Sequence, residues 1–247
     1  MTKLSVNLNA VAQLRNRRNL PWPSVTGIAR IVLDAGAVGV TVHPRPDERH
    51  IRRSDVFDLV NLLRTDYPNA ELNIEGYPTP AFLELVAAAN PHQVTLVPDA
   101  PEQATSDHGW DFITHQALLS EVSAQLAAPG RRVAMFCDPD ATTEALQAAK
   151  AAGADRVELY TGPYGACYDN SDAAVSALAD LAETAHAADA LGLGINAGHD
   201  LTLANLPAFQ STVPFVDEVS IGHGITADAL IFGFAETVRK YLGVLSR

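Results

Sequence analysis

The stretch Arg132–Tyr160, RVAMFCDPDATTEALQAAKAAGADRVELY, holds one full period of the pattern on which the fold rests. A strand-like apolar run, Arg132–Cys137, gives way to a segment of helical period, Ala141–Ala152, and a second strand-like run, Arg156–Tyr160, follows. Gly153 closes the helical segment, where a residue without a Cβ can take the left-handed conformation that stops a helix before the next strand. Asp34-Ala-Gly36 and Leu191-Gly192 repeat the device.

Outward from this stretch the same unit recurs along the chain. Strand-like runs fall at Leu4–Leu8, Gly39–His43, Glu71–Glu75, Gln93–Val97, Gly194–Ala197 and Glu218–Ile221. Helical segments fall at Val25–Ala35, Ser54–Thr65, Pro80–Ala89, Leu118–Leu126, Asp172–Leu191, Leu201–Ala208 and Thr226–Leu242. Ser54 suits an N-cap and Pro80 a first helical turn. Eight strand-plus-helix units, with no linker or low-complexity stretch between them, predict a single (β/α)8 barrel domain over residues 1–247. A doubly wound open sheet is the competitor, but it usually needs fewer strands, and no G-x-G-x-x-G follows the first strand.

The 247 residues carry 17 Lys+Arg against 29 Asp+Glu, a formal charge of −12, and 47% of them are hydrophobic. This balance predicts a globular protein and argues against a general binder of nucleic acid or of an anionic membrane, which needs a basic face. No apolar run reaches the roughly 18–20 residues of a membrane span, and Met1–Asn9 lacks the apolar core of a signal peptide. Cys137 and Cys167 lack zinc-motif spacing and are read as reduced and structural. The expectation is a soluble, cytoplasmic protein.

Barrel enzymes carry their chemistry at the C-terminal ends of the strands. That rule selects Asn7 and Asn9 after the first strand, His43 and Arg45 after the second, and Glu75 at the end of the third. It adds Asp99 after the fourth, Asp138 after the fifth, His199 after the seventh and Gly222-His223 at the eighth. Three histidines on one rim, His43, His199 and His223, suit repeated proton transfer. Glu158 lies inside the sixth strand between Val157 and Leu159. Alternation turns those two onto the helices and Glu158 into the barrel, where a carboxylate is costly unless paired or catalytic.

Two anion sites are expected at this rim. In the first, Arg45 and His50 of the proline-stiffened loop after the second strand can clamp a phosphate. In the second, Gly198-His199 and Gly222-His223-Gly224 free backbone N–H groups, and the helix near Thr226 presents its positive end. A pair of phosphorylated substrates, or a bisphosphate, fits two such sites. The only lysines, Lys3, Lys150 and Lys240, lie away from the C-terminal strand ends, which excludes a Schiff-base aldolase; for imine chemistry a substrate must bring the amine. The rival is a metal-dependent sugar-phosphate lyase or isomerase with His43, Glu75, His199 and His223 around Zn²⁺ or Mn²⁺. A non-catalytic sensor of phosphorylated ligands is the other alternative.

The motifs, taken as a set, resemble the pyridoxine 5′-phosphate synthase family. They are Val6-Asn-Leu-Asn9 with Leu14-Arg-Asn-Arg-Arg18, Thr41-Val-His43-x-Arg45-x4-His50-Ile51 and Asn73-Ile-Glu75. Leu96-Val-Pro98 with Thr105, Glu158-Leu-Tyr-Thr-Gly162, Asn196-Ala-Gly-His199 and Ile221-Gly-His223 complete it, in order, between about residues 4 and 243. The resemblance implies a (β/α)8 barrel assembled as a homo-oligomer, typically an octamer, with no metal or cofactor. It implies condensation of 1-deoxy-D-xylulose 5-phosphate with 3-amino-2-oxopropyl phosphate to pyridoxine 5′-phosphate, inorganic phosphate and water.

By position, His43 and Glu75 match the proton acceptors, His199 the proton donor and Glu158 a further active-site carboxylate. Arg45, His50 and Thr105 match the holders of the deoxyxylulose phosphate. Asn7, Arg18, Gly222 and His223 match those of the aminoketone phosphate. Asn9 and Asp200 stand at substrate-contact positions where the chain departs from the pattern. Many relatives have Asp-His in place of Asn9-Ala10, and Gly in place of Asp200. A carboxylate beside a phosphate is repulsive, so the Asp200 side chain is expected to point away or pair with a cation. Pro44 is a further, benign variation at the exit of the second strand. The segments Asp99–Gly109 and Gly162–Asp172 are lid candidates by length and composition.

Overall fold

The computed structural model describes residues 1–18, 20–99, 103 and 105–246. Its strands are β1 (Lys3–Asn7), β2 (Gly39–Val42), β3 (Glu71–Gly76), β4 (Gln93–Leu96), β5 (Arg132–Cys137), β6 (Arg156–Leu159), β7 (Gly194–Ala197) and β8 (Glu218–Ile221). They pair in parallel and in chain order, and β8 closes onto β1 through pairs such as Val6 with Ile221. The helices are α1 (Asn9–Asn16), α2 (Val25–Asp34), α3 (Arg53–Asp66), α4 (Pro80–Ala89), α5 (Gln116–Leu126), α6 (Thr143–Ala151), α7 (Gly162–Gly165), α8 (Ser171–Ala190), α9 (Leu206–Thr212), α10 (His223–Phe232) and α11 (Phe234–Leu245). The expected (β/α)8 barrel is the fold of the chain. Among the described residues no helix is long and apolar enough to cross a membrane.

Strand alternation divides the core in two. Leu4, Val6, Val40, Val42, Ile74, Val157, Leu159 and Ile221 are buried beneath the helices, each stabilising the fold by about 2 kcal/mol. The opposite faces point into the barrel and are polar. At the N-terminal end Arg132 pairs with Glu71 and Arg156 with Glu218. Above them Ser5 Oγ lies 2.8 Å from Thr41 Oγ1, and Thr95 Oγ1 lies 3.2 Å from both Asn73 Oδ1 and Glu158 Oε2. This hydrogen-bonded column lets polar side chains fill the barrel, because most of the buried groups find a partner, although Gln93 Nε2, Asn196 Nδ2 and Ser220 Oγ have none among the described residues. It also confirms the inward orientation of Glu158.

Several boundaries differ from the sequence reading. No helix was expected between Leu8 and Val25, yet α1 stands there, with Val11, Ala12 and Arg15 buried. Ser54 is not the N-cap: α3 starts at Arg53, and the Asp55 carboxylate accepts from Arg52 N at 2.8 Å. The segment from Leu201 stays in turns until α9 begins at Leu206, with a proline in its first turn. The last helix begins at His223 rather than Thr226 and is split in two at Gly233, whose φ of 76° is left-handed.

Candidate active site

The C-terminal strand ends enclose a cavity of about 440 Å³. Asn7, Asn9, His43, Arg45, His50, Glu75, Thr105, Glu158, His199, Asp200, Gly222 and His223 all line it. Arg18 does not. It follows α1 in a turn, its N–H donating to Arg15 O at 3.2 Å, and its side chain is exposed. The helix that the sequence reading lacked carries Arg18 past the rim.

The two asparagines after β1 serve the residues beside them. Asn9 Oδ1 accepts from His43 N at 2.9 Å, and Asn7 Oδ1 accepts from Asn9 N at 2.9 Å. Asn7 Nδ2 donates to Glu75 Oε2 at 3.2 Å, and His43 Nδ1 lies 3.9 Å from the same oxygen. Asparagine at position 9 therefore still offers the acceptor that holds the exit of β2. Burial, reinforced by the Arg45, His50, His199 and Arg49 charges, holds His43 well below the ordinary histidine range, so it is a neutral base. Burial also pushes Glu75 up to about 7, against the opposing pull of His199 and the Asn7 hydrogen bond and with the Asp99 charge adding to the rise. Deeper in the barrel, burial and the Glu75 and Glu218 charges push Glu158 well above the carboxylate range, which favours its protonated form.

The loop after β2 is held from outside and within. Arg15 donates to both Asp55 oxygens at 2.5 and 2.9 Å, and Arg15 Nη2 (3.2 Å) and Asn16 Nδ2 (2.7 Å) donate to His50 O. His50 Nδ1 accepts from Ile51 N at 2.9 Å, which leaves its proton on Nε2. Burial and the Arg45 and Arg49 charges lower His50 to about 4. Arg45 pairs with the buried Asp99 and donates to Gln103 O at 3.1 Å, and Asp99 also accepts from Ser106 Oγ at 2.7 Å. Asp138 accepts from Gly109 N at 2.7 Å, so it anchors the loop after β4. Of the first lid segment, residues 100–102 and 104 lie outside the described residues, whereas Thr105 reaches His199. The second lid segment holds the single-turn helix α7.

His199 stands where β7 meets β8. A Cβ on Gly198 would fall 1.8 Å from Ser220 O, so only glycine lets the two strand exits approach this closely. His199 Nδ1 lies 2.6 Å from Asp200 Oδ2, and Nε2 lies 3.2 Å from Thr105 Oγ1. Asp200 thus pairs with an imidazole, as its expected alternative to pointing away. The imidazole ring meets Tyr160 edge-on at 5.7 Å and Phe136 at 6.4 Å. Burial opposes protonation of His199, but the hydrogen bond and charge of Asp200, with Glu75 and Asp99, outweigh it and raise the pKa. Gly222 caps α10 and His223 opens it, so the positive helix end faces the rim three residues earlier than expected.

The cavity also takes Gln13, Ser106, Phe136, Tyr160 and Ser220, none of which had been selected as a site residue. Tyr160 was legible by alternation, two residues beyond Glu158 on the same face. Gln13 and Ser106 carry no comparable signal, because their loop and helix are placed by distant contacts. Among the described residues no group of three His, Cys, Asp or Glu side chains is arranged to hold a metal ion.

An imidazole held below its ordinary range, a carboxyl raised to about 7 and an imidazole raised above its ordinary range meet at one barrel mouth, and they define the class: a (β/α)8-barrel enzyme with titratable groups at its C-terminal strand ends. Residues 4–247 match the family described as pyridoxal phosphate biosynthesis protein PdxJ, and the chain belongs to that family. Proteins named pyridoxine 5′-phosphate synthase from Allorhizobium ampelinum and Chelativorans sp. are 61% and 62% identical to it, over 97% of this chain and 96% and 97% of theirs. Solved structures share the fold at far lower identity. An Aquifex aeolicus protein matches with a TM-score of 0.66 at 14% identity, over 99% of this chain and 92% of that one. The tryptophan synthase alpha chain of Legionella pneumophila matches with a TM-score of 0.65 at 15% identity, over 99% and 92%.

Proposed function

We propose that this chain is a pyridoxine 5′-phosphate synthase, condensing 1-deoxy-D-xylulose 5-phosphate with 3-amino-2-oxopropyl phosphate to pyridoxine 5′-phosphate, inorganic phosphate and water. The observation that carries the reading is the convergence of His43, Glu75 and His199 on one cavity, with burial lowering His43 and raising Glu75 to about 7 while Asp200 raises His199. Joining an amine to a ketone, expelling water and phosphate, and closing an aromatic ring require several proton removals and deliveries near neutral pH. His43 and Glu75 accept protons and His199 delivers them. Glu158, protonated at depth, offers a hydrogen bond to the oxygen or nitrogen of an intermediate. Arg45, His50 and Thr105 take the deoxyxylulose phosphate, and Asn7, Gly222 and His223 take the aminoketone phosphate. Arg18 enters this reading from the family resemblance alone.

Self-association belongs to the same reading, an octamer by the resemblance. Its support is the apolar surface of α10, where Leu230 and Ile231 are 79% and 75% exposed, together with exposed Trp22 and Leu20 between α1 and α2. Light scattering is expected to give a multiple of the 26.3 kDa chain mass; a mass of one chain would remove this part.

Incubating the purified protein with both phosphorylated substrates is expected to release phosphate and produce a pyridine chromophore in equal amounts. Either product without the other, or neither, would overturn the assignment. His199→Asn is expected to cut turnover at least about a hundredfold, the scale of a lost proton donor. Activity within a few-fold of wild type would remove His199 from its role.

A further inference from the structure

We infer that Asp200 is the positioning residue of His199, holding the Nδ1–H of the imidazole on its own carboxylate so that Nε2 faces Thr105 and the cavity. The inference rests on the proposed function only for its kinetic readout. Its ground is the 2.6 Å contact of Asp200 Oδ2 with Nδ1, set opposite the 3.2 Å contact of Thr105 Oγ1 with Nε2. The two contacts lie on the two ring nitrogens, so together they assign each nitrogen one task.

The loop that carries Asp200 is fixed independently of this pair. Asp200 N donates to Thr161 Oγ1 at 3.3 Å, and Asn205 Nδ2 donates to Asp200 O at 3.1 Å. Against its other side lies α7, where a Cβ on Gly165 would come within 2.4 Å of Asp200 Cβ. The carboxylate is thus presented by an anchored backbone, at the precision an outer-shell partner needs to orient a ring. Pairing also changes what an anionic substrate meets. A lone carboxylate beside a phosphate repels it, whereas an aspartate–imidazolium pair carries no net charge.

The groups facing His199 set the sign of the pH effect. Asp200 lies on its own loop, Glu75 comes from β3, and Asp99 follows β4; all three favour the imidazolium. His43 from β2 faces it as a neutral base, Tyr160 packs on the ring from beyond β6, and His223 approaches Asp200 from α10. Removing the Asp200 charge therefore lowers the His199 pKa. If protonated His199 is the donor, the alkaline limb of turnover moves to lower pH.

The test is an NMR titration of the full-length protein labelled with ¹³C and ¹⁵N at histidine, comparing wild type with Asp200→Asn and Asp200→Gly. Asp200→Asn is expected to lower the His199 pKa. Asp200→Gly is expected to lower it too, and to move the neutral ring from the Nδ1–H tautomer toward Nε2–H. An unchanged His199 titration in both variants, or a wild-type neutral ring already in the Nε2–H form, would overturn the positioning role. In parallel, the alkaline limb of kcat is expected to shift to lower pH in both variants. A shifted titration with an unshifted limb would leave the positioning intact and instead remove His199 as the donor, which separates the two ideas.

Discussion

Glu75→Gln is expected to lower turnover at least about a hundredfold, the cost of deleting a positioned general base. Glutamine keeps the shape and can still accept from Asn7 Nδ2, which in the native chain donates to Glu75 Oε2 at 3.2 Å. What disappears is the ability to take a proton. Because burial raises Glu75 to about 7, wild-type kcat should rise with pH through that region as the carboxylate forms. The variant should show a low, flat response there. Stability should move the other way. A carboxyl raised above its unfolded value supports the fold fully below that value, and the contribution is lost as pH rises through about 7. Glutamine does not titrate, so the variant should gain in urea midpoint relative to wild type above pH 7. A variant with near-native turnover, or with an unchanged acid limb, would remove Glu75 from the chemistry.

Arg15→Met is expected to destabilise the protein by about 3–5 kcal/mol, the range for breaking a buried ion pair from one side. The side chains of Arg15 and Asp55 are each 9% exposed and joined by two short hydrogen bonds. Methionine fills the volume but leaves the carboxylate buried without its partner. The double variant Arg15→Met/Asp55→Leu should recover most of the loss, because no uncompensated charge remains. The site should respond as well, since Arg15 also donates to His50 O. In a loosened loop, KM for the deoxyxylulose phosphate should rise more than kcat falls. Urea unfolding of the three variants with steady-state kinetics on each checks both claims. A single variant as stable as wild type would show that the pair is not needed to hold α1 on the loop before α3.

Glu158 shows what was legible in the chain and why. A strand repeats every two residues, so two apolar neighbours were enough to turn it inward before any tertiary contact was known. The barrel followed from the same kind of local signal, with glycines such as Gly36, Gly153 and Gly192 adopting left-handed φ values at the helix ends. Helix starts were harder to read. Ser54 looked like a cap by type, but Asp55 accepts from the backbone N–H of Arg52, so that Arg52 caps α3 and the helix starts at Arg53. Similarly, α1 has only eight residues, about two turns, too short for a helical period to stand out.

At the site, alternation and the strand-end rule found the residues that emerge directly from strands: Asn7, His43, Glu75, His199 and Gly222. Partners that arrive from elsewhere were not legible. Ser106 reaches Asp99 from within the loop after β4, and Arg15 reaches His50 from α1. Arg18, matched by motif, is carried to the outer surface by a helix that its own sequence barely signals.

The chain alone thus determined the barrel, the end at which its chemistry gathers and the inward set of carboxylates and histidines, because periodicity and helix capping act over a few residues. Only the tertiary structure decided which partner each nitrogen of His199 meets, which carboxyls burial raises and which arginine is already engaged. Those outcomes depend on burial and on charges brought together from opposite ends of the chain, and no local pattern encodes such distances.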